Sequence, residues 1–141
     1  MKKLIMMSIL AMFGFFMVSA NTGEEKAIER VINVFSKAGD KNDVSALEAC
    51  LDDNYRVVMN QLFGSEAVTV IPRSVYLQKI GSKEWGGDHR TAIIEKISVN
   101  GNTAVAKVNF KGEKMTFKSL IMLIKDANGQ WKLISDTPVI A

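Results

Sequence analysis

The densest chemistry in this chain is the stretch Trp85-Gly86-Gly87-Asp88-His89-Arg90, where the single histidine stands between an acid and a base. An Asp–His pair works as a base only when the carboxylate reaches one imidazole nitrogen. Here the two are adjacent, and neighbours on an extended chain point to opposite faces, so Asp88 is poorly placed to orient His89. The two glycines read as a flexible approach to a strand. On it His89, Thr91 and Ile93 share one face and Arg90, Ala92 and Ile94 the other. Only one of the pair His89/Arg90 can enter an interior, and His89 is expected at a rim rather than in a catalytic role.

The remaining candidates are weaker. One histidine and one cysteine far apart do not make a zinc site. Asp40-Lys41-Asn42-Asp43 starts like a calcium loop, but Ser45 stands where that loop needs glycine, and Val44 and Ala46 carry no oxygen ligand. No metal and no cofactor are expected. Cys50 falls on an apolar helix face and reads as an inert core thiol. Asp52 and Asp53 are expected in a turn before a strand, Arg56 to Asn60, that carries no carboxylate. Lys107, Lys111, Lys114 and Lys118 read as a solvated strand face. No residue is assigned a catalytic role.

The elements that would position these residues follow a leader. Lys2 and Lys3 precede an apolar run from Leu4 to Val18, and Val18-Ser19-Ala20 offers small residues for cleavage. That is the anatomy of a secretory signal peptide, with an apolar run shorter than the roughly 20 residues that span a bilayer. Residues 1–20 are expected to be removed, leaving 21–141 as one exported domain, periplasmic or secreted, without a membrane anchor. Of 18 Lys+Arg, the leader takes Lys2 and Lys3, so 16 face 15 Asp+Glu and the mature charge is +1. Such a chain has no basic stripe for nucleic acid.

Thr22 to Glu25 fits a capping box. Ile28, Val31, Ile32, Phe35 and Ala38 then recur at helical spacing, with Gly39 expected just past the helix end. A second helix is expected over 44–51 and a third over 72–80, with short strands at 55–60 and 67–71. Four longer strands follow near 89–99, 103–112, 114–125 and 130–137. Asn100-Gly101 signals a hairpin between the first two. The order predicts an α+β fold: a cone-shaped, curved antiparallel sheet covered on one face by about three N-terminal helices. Leu120 to Ile124 is apolar on both faces, which predicts a second subunit over the outer one.

Ala38-Gly39-Asp40 with Asp43 and Leu47, then Ile97 to Ala104, then Gly129-Gln130-Trp131-Lys132-Leu133-Ile134 carry a resemblance covering nearly all of 24–137. The chain resembles the nuclear transport factor 2-like superfamily, and within it the exported bacterial "putative lumazine-binding" and SnoaL-like groups. The resemblance implies dimers formed through the sheet and a cone that encloses a small apolar ligand. It also implies tests that this chain fails as an enzyme. It lacks the paired histidines of scytalone dehydratase-like proteins and the first-strand carboxylate of ketosteroid isomerase-like ones. Tyr55, Met59, Tyr76, Trp85, His89, Asn109 and Phe117 are the candidate pocket residues, and Trp131 is expected in the core. The leading expectation is a non-catalytic binder of a small apolar or aromatic molecule. The alternative is a protein-interaction or structural module with a filled cone, and the third reading is an isomerase-, dehydratase- or cyclase-like enzyme.

Overall fold

A computed structural model describes residues 22–141; the expected leader, 1–20, lies outside the described residues. The elements run α1 (Gly23–Asp40), α2 (Val44–Cys50), β1 (Leu51–Asn60), β2 (Val68–Pro72), α3 (Arg73–Gly81), β3 (Arg90–Asn100), β4 (Thr103–Gly112), β5 (Thr116–Lys125) and β6 (Trp131–Ile140). The three helices and the curved six-stranded sheet form the expected α+β cone.

Local chemistry explains most element ends. Thr22 Oγ1 accepts from the Glu25 amide at 3.3 Å, and Asp43 Oδ1 from the Ala46 amide at 3.0 Å, so the starts of α1 and α2 each gain a side-chain acceptor. The apolar stripe of α1 turns Ile28, Ile32, Phe35 and Ala38 into the core, each large side chain contributing about 1.5–3 kcal/mol. The helix does not stop at Gly39. It runs on to Asp40, and Gly39 is buried where a Cβ would lie 2.7 Å from Arg90 Nη2. Glycine at this position serves close packing, not termination. At the β3–β4 hairpin the positive φ falls on Gly101 alone, at 60°. Asn100 pairs with Thr103 as the last strand residue, so the two-residue loop is Gly101-Asn102, with glycine at its first position.

The sheet order is β2-β1-β6-β5-β4-β3. The meander β3 to β6 is antiparallel as expected, but β6 returns beside β1 in parallel, which makes the sheet mixed. Strand β1 begins directly at Leu51, so Asp52 and Asp53 belong to it rather than to a turn. Register shifts interrupt β1 between Leu51 and Arg56, β3 between Ile94 and Lys96, and the β5–β6 pair beside Met122/Leu123. Bulges of this kind bend a strand and strengthen its twist, which curves the sheet around the helices. Trp131 is buried, and its Nε1 donates to Glu24 Oε2 at 2.5 Å, tying the start of α1 to β6. The outer face of the meander leaves Ile93, Val105, Leu120, Met122 and Val139 exposed.

Candidate functional site

Alternation along β4 and β5 turns Phe110, Phe117 and Ser119 to the concave side. Phe35 comes from α1, Tyr76 and Ile80 from α3, and Val57 and Met59 from β1. Together they enclose a cavity of about 390 Å³, within the roughly 300–1,000 Å³ of small-molecule sites. Its wall is apolar and largely aromatic. Phe35 stacks near Tyr76 with ring centroids 6.3 Å apart and meets Phe110 edge-on at 6.0 Å.

The polar groups on that wall are few. Asp136 and Ser119 sit side by side, 9% and 2% exposed, and neither Asp136 Oδ1 nor Ser119 Oγ has a hydrogen-bond partner. Burial pushes the Asp136 carboxyl up to about 6, while the Ser119 hydroxyl facing it and, more weakly, the Arg90 charge pull the other way. Sequence reasoning missed Asp136, and the register shows why. Leu123 pairs with Leu133 but the preceding Met122 pairs with Ser135, so Ile134 is an extra residue in β6. Alternation counted from Trp131 and Leu133 would send Asp136 outward; the bulge reverses the phase and turns Asp136 and Pro138 inward. The one signal available was that Trp131 and Leu133 are out of step with Pro138 and Ile140.

Arg90, not His89, enters the cone. Its Nε donates to Asp40 Oδ1 at 2.6 Å and its Nη2 to the Ser36 carbonyl at 2.8 Å, and its backbone amide donates to Asp40 Oδ2 at 2.9 Å. The guanidinium lies 5.3 Å from the Phe110 ring centroid. Asp40 and Arg90 thus neutralise each other and fix the end of α1 against β3.

Of the seven pocket candidates, Met59, Tyr76, Trp85 and Phe117 line the cavity. Tyr55 lies behind the lining, 5.3 Å from Tyr76 between ring centroids, with its hydroxyl buried and unpartnered. Burial raises both phenols well above the usual tyrosine range, so they stay protonated. His89 and Asn109 lie outside the cone. His89 is exposed beside a shallow outer depression shared with Thr91 and Lys111. Asn109 pairs with Ile93 on the outer face of β4, because the inward positions of that strand are Val108 and Phe110.

The opening motif has a structural task. Asp88 accepts from the amides of His89, Glu113, Lys114 and Met115 at 2.7–3.3 Å. Partial burial raises its carboxyl, and the four backbone donors together outweigh this and hold it below the usual range. It therefore staples the β4–β5 turn. The glycines before it are packed, not loose. A Cβ on Gly86 would lie 2.4 Å from the Gly39 carbonyl oxygen, and the Gly87 amide donates to that same oxygen at 3.1 Å. Asn42 Nδ2 completes the clamp, donating to the carbonyls of Ile80 and Trp85 at 2.9 and 2.7 Å.

Among the described residues no cluster of three or more His, Cys, Asp or Glu could hold a metal. The calcium-like segment is committed elsewhere: Asp40 to Arg90, Asn42 to the glycine turn, Asp43 to the cap of α2. Cys50 is buried, and burial pushes its thiol up to about 11 from 9.0. Native protein is therefore expected to react with a disulfide reagent at pH 8 about 100-fold more slowly than an exposed thiol, and at the normal rate in denaturant. Fast labelling of folded protein would show that Cys50 is not a core thiol.

No curated protein matches the chain. Solved structures share its fold. An NTF-2 like protein of unknown function from Silicibacter pomeroyi superposes with a TM-score of 0.73 and 18% identity, covering 84% of this chain and 96% of that one. An NTF2-like protein of unknown function from Shewanella baltica gives 0.72 and 18%, over 84% and 94%. A ketosteroid isomerase-like protein from Erwinia carotovora atroseptica gives 0.66 and 16%, over 84% and 97%. The family model described as "Putative lumazine-binding" matches residues 23–137, so the chain is a member of that family, with an NTF2-like fold.

Proposed function

We propose that this protein is an exported homodimeric binding domain whose cone holds a small apolar or aromatic molecule without transforming it. The observation that carries the reading is the 390 Å³ aromatic-walled cavity with Asp136 and Ser119 buried on its wall. An apolar container with a few placed polar atoms is what a small-ligand site requires. The cavity also counts against the filled-cone alternative. Export rests on the leader sequence. Dimerisation is supported by the outer sheet face, where Leu120 and Met122 are 52% and 47% exposed in the centre of the meander.

The test is native mass spectrometry of the chain recovered from its own envelope or medium. The expected species lacks residues 1–20, contains two copies and carries an added mass of a few hundred daltons. A bare dimer would return weight to the interaction module, and a monomer would remove the role assigned to the outer face.

A second reading, an isomerase-, dehydratase- or cyclase-like enzyme, is favoured by one observation. Asp136 is an inward carboxyl with a value of about 6, near the range in which a general base works. Turnover of a cone-bound ketone that disappears in Asp136→Asn would establish it.

A further inference from the structure

The charges inside the cone do not balance. Arg90 is held by Asp40 and the Ser36 carbonyl. Asp88 at the rim is consumed by four backbone amides, and Glu84 pairs with Lys79 at 2.7 Å. Lys114, also at the rim, is exposed. The polar groups that act on Asp136 are Tyr55 from β1, Tyr76 from α3, Arg90 from β3 and Ser119 from β5. The phenols are neutral and the arginine is committed. One carboxylate therefore stands inside an apolar container without a cation of its own: its Oδ1 is unpartnered, and only the facing Ser119 hydroxyl and the Arg90 charge already spent on Asp40 act on it. Leaving such an atom unpaired is costly, and an occupant that supplies N–H donors and a positive charge relieves both deficits. Phe35, Phe110, Phe117 and Trp85 also present aromatic surface to the cavity, which attracts a cation and stacks on a ring.

We infer that the cone selects an aromatic or apolar molecule bearing a protonated amine, with the ammonium seated on Asp136 and Ser119, and discriminates against carboxylates of the same shape. This rests on the binding reading above and assigns the chemical class of its ligand. An anionic ligand would bring a second negative charge to Asp136, while the remaining cation of the lining, Lys114, is exposed and turned to the Gly87 carbonyl. A neutral isostere would fill the cavity but leave the carboxylate's charge uncompensated.

The experiment uses three probes with one ring system: 2-naphthylmethylamine, 2-naphthylmethanol and 2-naphthoate. Each is titrated against the purified protein by calorimetry at pH 8, where Asp136 is ionised and the amine protonated. The amine is expected to bind about tenfold or more tighter than the alcohol, with the carboxylate weakest. In Asp136→Asn, checked for folding by thermal unfolding, the ratio of amine to alcohol affinity is expected to fall to about one. Equal affinities for all three in the native protein would overturn the amine selectivity and leave the binding reading standing. An amine preference that persists in Asp136→Asn would place the recognition elsewhere and also overturn it. Failure of all three to bind would overturn the binding reading and the inference together.

Discussion

Replacing Arg90 with alanine is expected to lower the unfolding free energy by about 3–5 kcal/mol, the usual result of removing one partner of a buried ion pair. Asp40 and Arg90 side chains are 11% and 16% exposed, so the partner left behind is only poorly hydrated when the other is lost. The substitution strands the Asp40 carboxylate and the Ser36 carbonyl, and removes the cation above Phe110. It also withdraws the positive charge that tempers Asp136, so the cone becomes harder to ionise. Replacing both partners, Arg90→Met with Asp40→Leu, should cost less than the single change, because no unpaired charge remains. Urea unfolding of the native protein and the two variants at neutral pH measures this directly. A loss below about 1 kcal/mol for Arg90→Ala would show the pair to be an ordinary surface bridge.

The second large effect has the opposite sign and depends on pH. Asp136 rises from 3.8 to about 6 on folding, which disfavours the ionised folded state by about 3 kcal/mol. Between those two values the folded protein holds a proton that the unfolded chain has released. Stability from this group is therefore fully present below 3.8 and is lost as pH climbs through 6. Asp136→Asn has no such titration. Compared with the variant, the native protein should lose about 3 kcal/mol between pH 4 and pH 8, with the change centred near pH 5. Differencing against the variant removes Glu24 and Asp88, which are held low and act in the other direction. A pH-independent difference between the two proteins would mean that Asp136 is solvated, and the polar floor of the cone would go with it.

These two groups show where reading the residues in order succeeds and where it stops. The stripe of α1, the Thr22 cap, the turn glycine at 101 and the alternation of Ala104, Ala106, Val108 and Phe110 are local properties. They involve neighbours within about four positions, or one strand against one core, and the sequence alone specified the three helices, the meander and the cone. It also separated His89 from Arg90, because strand alternation allows only one of them inward.

What the tertiary structure alone decided was which polar side chains meet. Gly39 reads as a helix stop until Arg90, fifty-one residues later, is seen to need the space above it. Gly86 and Gly87 read as loose until the Gly39 carbonyl is found against them. Asp88 reads as poorly placed for His89 and without another partner until the β4–β5 turn presents its amides. Asp136 depends on a single extra residue at Ile134. A bulge is set by pairing with strands far away in sequence, and one residue of phase exchanges the two faces of a strand. The fold and the apolar cone were written in local pattern; the charge inside it was decided by register.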